Sequence, residues 1–295
     1  MSTAEAVAII ENRDKAFEPL PPERLCRLLG ISRSSLYRHR AGLSLEKARR
    51  DADLRDRIEE ILVDFPGYGY RRVAAQLRRN GITVNRKRVL SVMRKESLLC
   101  QVKRSFVITT DSEHGFPVYR NLAIDAEVTG LNQLWVADIT YIRLPLEFCY
   151  LAAVLDAYSR RVVGWHLARY LDVRLPLFAL KMALEDRQPE AGFIHHSDRG
   201  VQYACREYVD TLKQANARIS MSAKGKPRDN AQAESFFRTL KMEEVYLQDY
   251  GSFLEADARI EHFIETVYNR KRLHSALDYQ PPVEFEEQLA RSRTS

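Results

Sequence analysis

Three kinds of hydrophobic spacing succeed one another along the chain. Up to about residue 95 the apolar positions recur at helical intervals. Pro21-Pro22 opens a predicted helix with Leu25, Leu28 and Leu29 on one face, Gly30 breaks it, and a second helix starts at Ile31-Ser32 with Ile31 and Leu36 turned inward. The scheme repeats: residues 70–77 predict a helix, Asn80-Gly81 stops it, and Val89, Val92 and Met93 line the inner side of the helix that follows Val84. Between residues 109 and 131 the regular patterns lapse around Gly115, Pro117 and Gly130, which predicts a linker. From Leu131 the spacing becomes that of strands, with residues 134–142, 148–156 and 161–167 predicting a three-strand meander. A helix over 175–185, a short strand over 193–197, a helix through Tyr208 and Leu212 and a strand around Ile219 follow, the pattern of a layered α/β or α+β domain.

Charge divides the chain in the same place. The total is +6, with 46 Lys+Arg and 40 Asp+Glu, but residues 1–110 hold 23 basic and 13 acidic side chains, leaving 23 and 27 for the rest. A head at +10 on a body at −4 points to a polyanion held by the head, because basic side chains gain affinity by displacing counterions from phosphates. The basic residues fall where the helical pairs leave them exposed. Each pair resembles a helix-turn-helix, offering Arg33, Ser34, Ser35 and Arg38 in the first and Arg71, Arg72, Arg86, Lys87 and Arg88 in the second to a groove and its phosphates. The domain division predicted is therefore 1–48 and 49–110 for two helix-turn-helix units, 111–130 for the linker, and 131–290 for the second half.

Composition excludes several classes. The longest apolar run, residues 148–155, is far too short to cross a bilayer, and the acidic, leaderless start does not resemble a secretory signal, so a cytoplasmic protein is expected. Cys26, Cys100, Cys149 and Cys205 are widely spaced, which predicts reduced, mostly buried thiols. His195 and His196 are neighbours on a predicted strand and point to opposite faces, so they do not make a zinc site.

The second half carries the candidate chemistry. Asp138 interrupts an otherwise apolar strand, where a carboxylate is costly to bury unless something cationic meets it. Asp198 stands where a strand runs out into a glycine turn. Glu234 lies on a predicted helix over 229–241, with Arg238 and Lys241 four and seven residues on, on the same face, Lys241 about 10 Å along the axis. Ala233, Phe236, Phe237 and Leu240 face the other way, toward a core. Asp156 reads as a structural turn residue, His196 as within reach of a hydrogen bond to Asp198, and the helix of Phe253, Ile260, Ile264 and Val267 as core cover. Asn269, Arg270, Lys271, Arg272 and His274 are offered to DNA or to a second protomer. Lys224, Lys226 and Arg228 form a basic loop before the Glu234 helix, either closing over DNA strand ends or simply solvated.

Between Asp138 and Asp198 lie 59 residues and between Asp198 and Glu234 lie 35. With this spacing the chain resembles the DDE transposases of the retroviral-integrase superfamily, most closely the OrfB-type transposases of bacterial insertion sequences. The matching segments are YGYRRVAAQL with NGITVNRKRV, LWVADITYI, LDAYSRRVVGW, HHSDRGVQY, RDNAQAESFFRTLKMEE and YNRKRLHSALDYQPP, in order over nearly the whole chain. The resemblance implies an RNase H-like mixed-sheet catalytic core preceded by an all-α helix-turn-helix half, with Asp138, Asp198 and Glu234 as metal ligands and catalytic groups. It also implies two Mg²⁺ or Mn²⁺ ions, double-stranded DNA as substrate in the form of inverted-repeat ends and target, a homo-oligomer on DNA, and the product of an upstream reading frame as a further partner. Transesterification by a 3′-hydroxyl needs no ATP, consistent with the lack of a G-x-x-x-x-G-K-[ST] phosphate loop. A nuclease acting on RNA–DNA hybrids with the same core would have little use for the two helix-turn-helix units.

Overall fold

The protein is described by a computed structural model, in which residues 22–34, 45–100, 117–223 and 227–294 are placed. Helix α1 spans Pro22–Leu28, and its exposed Leu28 (69%) departs from the expected apolar face, the burial falling instead on Cys26. A helical turn begins at Arg33-Ser34. Ser35 and Arg38 lie outside the described residues.

Three helices then form one unit: α2 (Leu45–Asp64), α3 (Tyr70–Arg79) and α4 (Arg86–Lys95). Their shared core is Leu54, Ile58, Ile61, Phe65, Tyr68, Val73, Leu77, Val89, Val92 and Met93, so the inner stripe expected on α4 is borne out. Gly81 makes the turn between α3 and α4 at φ 82°, a conformation that costs glycine little. Asn85 caps α4, its side chain accepting from Lys87 N at 2.8 Å.

The second half is built on a five-stranded mixed sheet in the order β3-β2-β1-β4-β5. Strands β1 (Leu134–Arg143), β2 (Phe148–Asp156) and β3 (Val162–Ala168) are the predicted antiparallel meander, and β4 (Ile194–Ser197) and β5 (Arg218–Met221) add in parallel on the other side of β1. Helices α5 (Arg174–Arg187), α6 (Val201–Ala204) and α7 (Arg206–Gln214) belong to the core on one face, where Trp135, Ala137 and Val154 meet Leu180, Tyr203 and Tyr208. The other face packs α8 (Ala231–Glu243) and α9 (Phe253–His262), which continues as π-helical turns over Phe263–Lys271, through Phe236, Leu240, Ile260 and Tyr268. Helix α10 (Pro282–Thr294) ends the described chain.

Two connections differ from the sequence expectation. The described part of the predicted linker lies on the core: Leu122, Ala123, Ala126 and Val128 pack against it, and Leu122 N donates to Ser220 Oγ at 2.8 Å. The basic tract after α9 turns inward rather than toward DNA. Asn269 bonds both backbone groups of Val162, Arg272 is buried against Glu243, and His274 is buried; only Arg270 and Lys271 are exposed. The reason is the docking of the helical unit. Leu273 joins its core, Leu273 N donates to Tyr68 Oη at 2.8 Å, and Gly67 packs so closely on Glu243 that a Cβ there would collide with the glutamate side chain.

Candidate catalytic site

The site follows from where two strands part. β1 and β4 pair Leu134 with Ile194, Trp135 with His195 and Val136 with His196, after which β4 ends and β1 runs on to Arg143. Two residues beyond the last pair on each strand stand Asp138 and Asp198. The period of two puts Asp138 on the same face as Val136, while Asp198 is the first residue past the end of β4, where the neighbouring strands part. Asn230, at the start of α8, closes the gap by donating Nδ2 to Ala137 O at 2.9 Å.

Both aspartates are half-buried and locally braced. Asp138 Oδ1 accepts from Ile139 N at 2.8 Å, and Asp198 Oδ1 accepts from Gly200 N at 2.8 Å. Burial, then the charge of Asp198, with a smaller push from Glu234, raises the Asp138 carboxyl to about 8; the Ile139 N–H and Lys241 oppose the rise. Glu234 is exposed on the first turn of α8, its carboxyl raised by partial burial and held back by Arg238. Lys241, half-buried, puts its ammonium 4.5 Å from the centre of the Tyr141 ring, and burial lowers its pKa while Asp138 raises it.

Asp138 thus feels both other acids. Among the described residues, however, no three His, Cys, Asp or Glu side chains are drawn into a closed metal cage. Asp138 and Asp198 are half-buried where the strands part, and Glu234 is exposed on α8, near enough for its charge to reach Asp138. The donor chemistry fits a hard divalent cation: carboxylate oxygens only, with repulsion on Asp138 that positive charge would relieve.

The remaining candidates separate by placement. Arg33, Ser34, Arg71, Arg86 and Lys87 are exposed, and Arg238 is exposed on the Glu234 helix. Arg88 is exposed but bonds Asp51 at 2.7 Å. Arg72 is a correction: it points inward, donating Nε to Leu273 O at 3.1 Å beside the Tyr68 ring, because its helix face is the one that docks on the core. Lys224, Lys226 and the Arg228 side chain lie outside the described residues. His196 does not bond Asp198; it bridges Ser220 Oγ (2.8 Å) and Ser222 Oγ (3.0 Å), while His195 turns the opposite way to Tyr208 Oη (3.0 Å). Asp156 is the expected turn residue, accepting from Asn132 N, Tyr158 N and Ser159 N. All four cysteines are free; Cys26 and Cys149 are buried and Cys100 is exposed. No helix among the described residues is long and apolar enough to cross a membrane.

Sequence reasoning missed Asn230, whose link to Ala137 ties the Glu234 helix to the Asp138 strand. Its position one turn ahead of Glu234 was the available signal.

A sheet in the order 3-2-1-4-5 with acidic residues where β1 and β4 part, joined to a basic three-helix unit, defines an RNase H-like nucleic-acid-processing core with its own DNA-binding module. Family models agree: one described as an integrase core domain matches residues 129–227, a second so described matches 215–282, and an HTH-like domain matches 48–106. The chain is 37% identical over 265 residues to the 31 kDa protein of insertion element IS600 from Shigella sonnei, covering 89% of this chain and 97% of that one. It is 36% identical over 271 residues to the transposase InsF of insertion sequence IS3A from Escherichia coli K12, covering 89% and 92%. Among solved structures, the catalytic core domain of BIV integrase is similar over 56% of this chain and 99% of that one, at 17% identity and a TM-score of 0.41. The chain belongs to the insertion-sequence transposases of the IS3 kind. It is a DNA-binding polynucleotidyl transferase that acts in transposition.

Proposed function

We propose that this transposase cuts and joins DNA strands at Asp138, Asp198 and Glu234, with these three carboxylates holding two divalent cations, Mg²⁺ or Mn²⁺. The observation that supports the reading is the parting of β1 from β4 between Asp138 and Asp198, together with the rise of the Asp138 carboxyl to about 8, caused first by burial and then by the charge of Asp198. When bound, such cations support the charge developing on the phosphate and ease deprotonation of the attacking water or hydroxyl. Asp138 and Asp198 orient the reacting groups from where the strands part, and Glu234 completes the set from α8. Lys241 and Arg238, on the same helix, hold the DNA backbone alongside. Water cleaves at the element's end, and the freed 3′-hydroxyl then attacks a second strand; one phosphodiester replaces another, so no nucleotide cofactor is needed.

Recognition of the terminal inverted repeats falls to the α2–α4 unit. Arg86, Lys87 and Arg88 crowd the first turn of α4, which contains no acidic residue. Arg88 is partly neutralised by Asp51, but cations at the positive end of a helix are unfavourable in isolation and favourable against phosphate. Arg71 is a further exposed basic residue of this unit, and Arg33, Ser34, Ser35 and Arg38 are assigned to DNA contact in the first unit. Lys224, Lys226 and Arg228 are assigned to contact with DNA strand ends. The working form is a homo-oligomer on paired ends, joined by the product of an upstream reading frame.

The test is substitution of the acids. Asp138→Asn, Asp198→Asn and Glu234→Gln are each expected to lower Mg²⁺-dependent cleavage of inverted-repeat DNA by at least about a thousandfold, roughly 4 kcal/mol of barrier. Binding to the same DNA should stay within about threefold. Cleavage at the wild-type rate by any one of them refutes the assignment of that residue.

A further inference from the structure

Asn230 stands at the N-cap of α8, where an asparagine ordinarily turns its side-chain oxygen back onto the first free N–H groups of the helix. It makes no such bond. Its Nδ2 instead reaches 2.9 Å across to Ala137 O, and that contact fixes the orientation of the amide, since turning it over would set two acceptors against each other. Oδ1 is left on the side of the amide away from Ala137 O. It is buried without a hydrogen-bond partner, on a residue only 6% exposed.

A buried oxygen with no partner bears the full cost of its lost hydration, so its retention calls for a reason. Covalent geometry keeps Oδ1 within roughly 5 Å of Ala137 O, the two atoms being one hydrogen bond and the width of one amide apart. Ala137 directly precedes Asp138, and Asn230 lies about one helical turn ahead of Glu234. A second buried oxygen without a partner, Gln232 Oε1, sits on the same first turn of α8. Oxygens of this kind await a hydrogen-bond donor or a cation; they have nothing to offer a phosphate, which is itself an acceptor.

We propose that Asn230 is a positioning residue of the cation site: its Oδ1 accepts a hydrogen bond from a water in the hydration shell of a divalent cation held at Asp138, while its Nδ2 keeps the start of α8 on β1. The inference rests on the carboxylate reading above. Mg²⁺ dehydrates reluctantly and keeps several waters, which need acceptors around them. An amide supplies one without adding negative charge to a place where carboxylates already repel one another. An aspartate there would keep the acceptor but set a carboxylate against Ala137 O.

Mn²⁺ binding to the full-length chain, measured by calorimetry without DNA, tests the proposal, with unfolding temperatures measured in chelator alongside. Asn230→Ala is expected to weaken Mn²⁺ binding about tenfold, as loss of an outer-shell partner typically does. The metal concentration for half-maximal cleavage should rise by the same factor, with the rate at saturating metal largely restored. Asn230→Asp is expected to lower the unfolding temperature, having lost the bond to Ala137 O, while keeping Mn²⁺ affinity within about threefold or tightening it. If Asn230→Ala binds Mn²⁺ like the wild type while Asp138→Asn does not, Asn230 is only a clamp and the proposal is overturned. If Asn230→Ala does not fold, a loss of Mn²⁺ affinity in Asn230→Asp overturns it equally. Unchanged binding in Asp138→Asn overturns the carboxylate reading itself, an outcome separate from the other two.

Discussion

Arg272 and Glu243 form a two-pronged ion pair, Nε to Oε2 and Nη2 to Oε1 both at 2.7 Å, buried where the α2–α4 unit meets the catalytic half. Glu243 is the last residue of α8, whose first turn carries Glu234, so one helix runs from Glu234 to the docked helical unit. Above the pair, Tyr68 and Arg72 hold both backbone groups of Leu273. Removing one partner of a buried pair strands the other charge, which typically costs about 3–5 kcal/mol. Arg272→Met alone is expected to destabilise the chain on that scale, and Arg272→Met with Glu243→Met to recover much of the loss. Denaturant unfolding of the single and double variants checks this; equal losses in both would show that the charges are not what matters.

Arg71 and Arg72 are neighbours with opposite expected behaviour. Arg71 is exposed, whereas Arg72 is half-buried with its pKa lowered, first by burial and then by Arg272. Arg71→Ala should leave the unfolding temperature within a degree or two and reduce the salt dependence of binding to inverted-repeat DNA by about one counterion. Arg72→Ala should cost about 1–3 kcal/mol of stability, because it leaves Leu273 O without its donor. Binding isotherms across a salt series, beside thermal unfolding, separate the two.

Lys241→Ala tests whether the α8 face engages DNA. The ammonium lies over Tyr141 and within the field of Asp138. Affinity for pre-cleaved end DNA is expected to fall about five- to tenfold, roughly 1–1.4 kcal/mol, with a smaller change in folding stability. A stability loss as large as the binding loss would assign Lys241 to the fold.

The acid limb of stability is expected to involve Glu286. Burial by itself would raise its pKa, but hydrogen bonds and charge from Arg187, with further help from Ser159 and Arg161, hold it below the ordinary glutamate value. A carboxylate depressed in the folded state contributes stability that is present above its unfolded pKa and is lost as pH falls through the folded value. Glu286→Gln should therefore lower stability at pH 7 and flatten its decline below about pH 4.3. Urea midpoints between pH 3 and 7 check it; an unchanged slope would mean that Glu286 is not the group responsible.

Periodicity alone revealed the helical head, the three-strand meander and the inward stripe of Val89, Val92 and Met93, because each depends on spacing within one element. Asp138 was conspicuous for a similar reason, a carboxylate in an apolar strand. Its partnership with Asp198 is another matter. It depends on the parallel register of β1 on β4, between residues 60 positions apart, which no local pattern encodes. The same limit explains Arg72, Arg272 and His274. A basic residue at helical spacing reads as a solvated or DNA-facing charge until another part of the chain covers it, and here the cover comes from outside the residue's own element, 201 residues away for Arg72 and 29 for Arg272. The sequence by itself determined which residues can carry the chemistry and which elements hold them. Only the tertiary structure decided which charges face solvent, because burial and the fields that shift a carboxylate depend on neighbours brought together by folding.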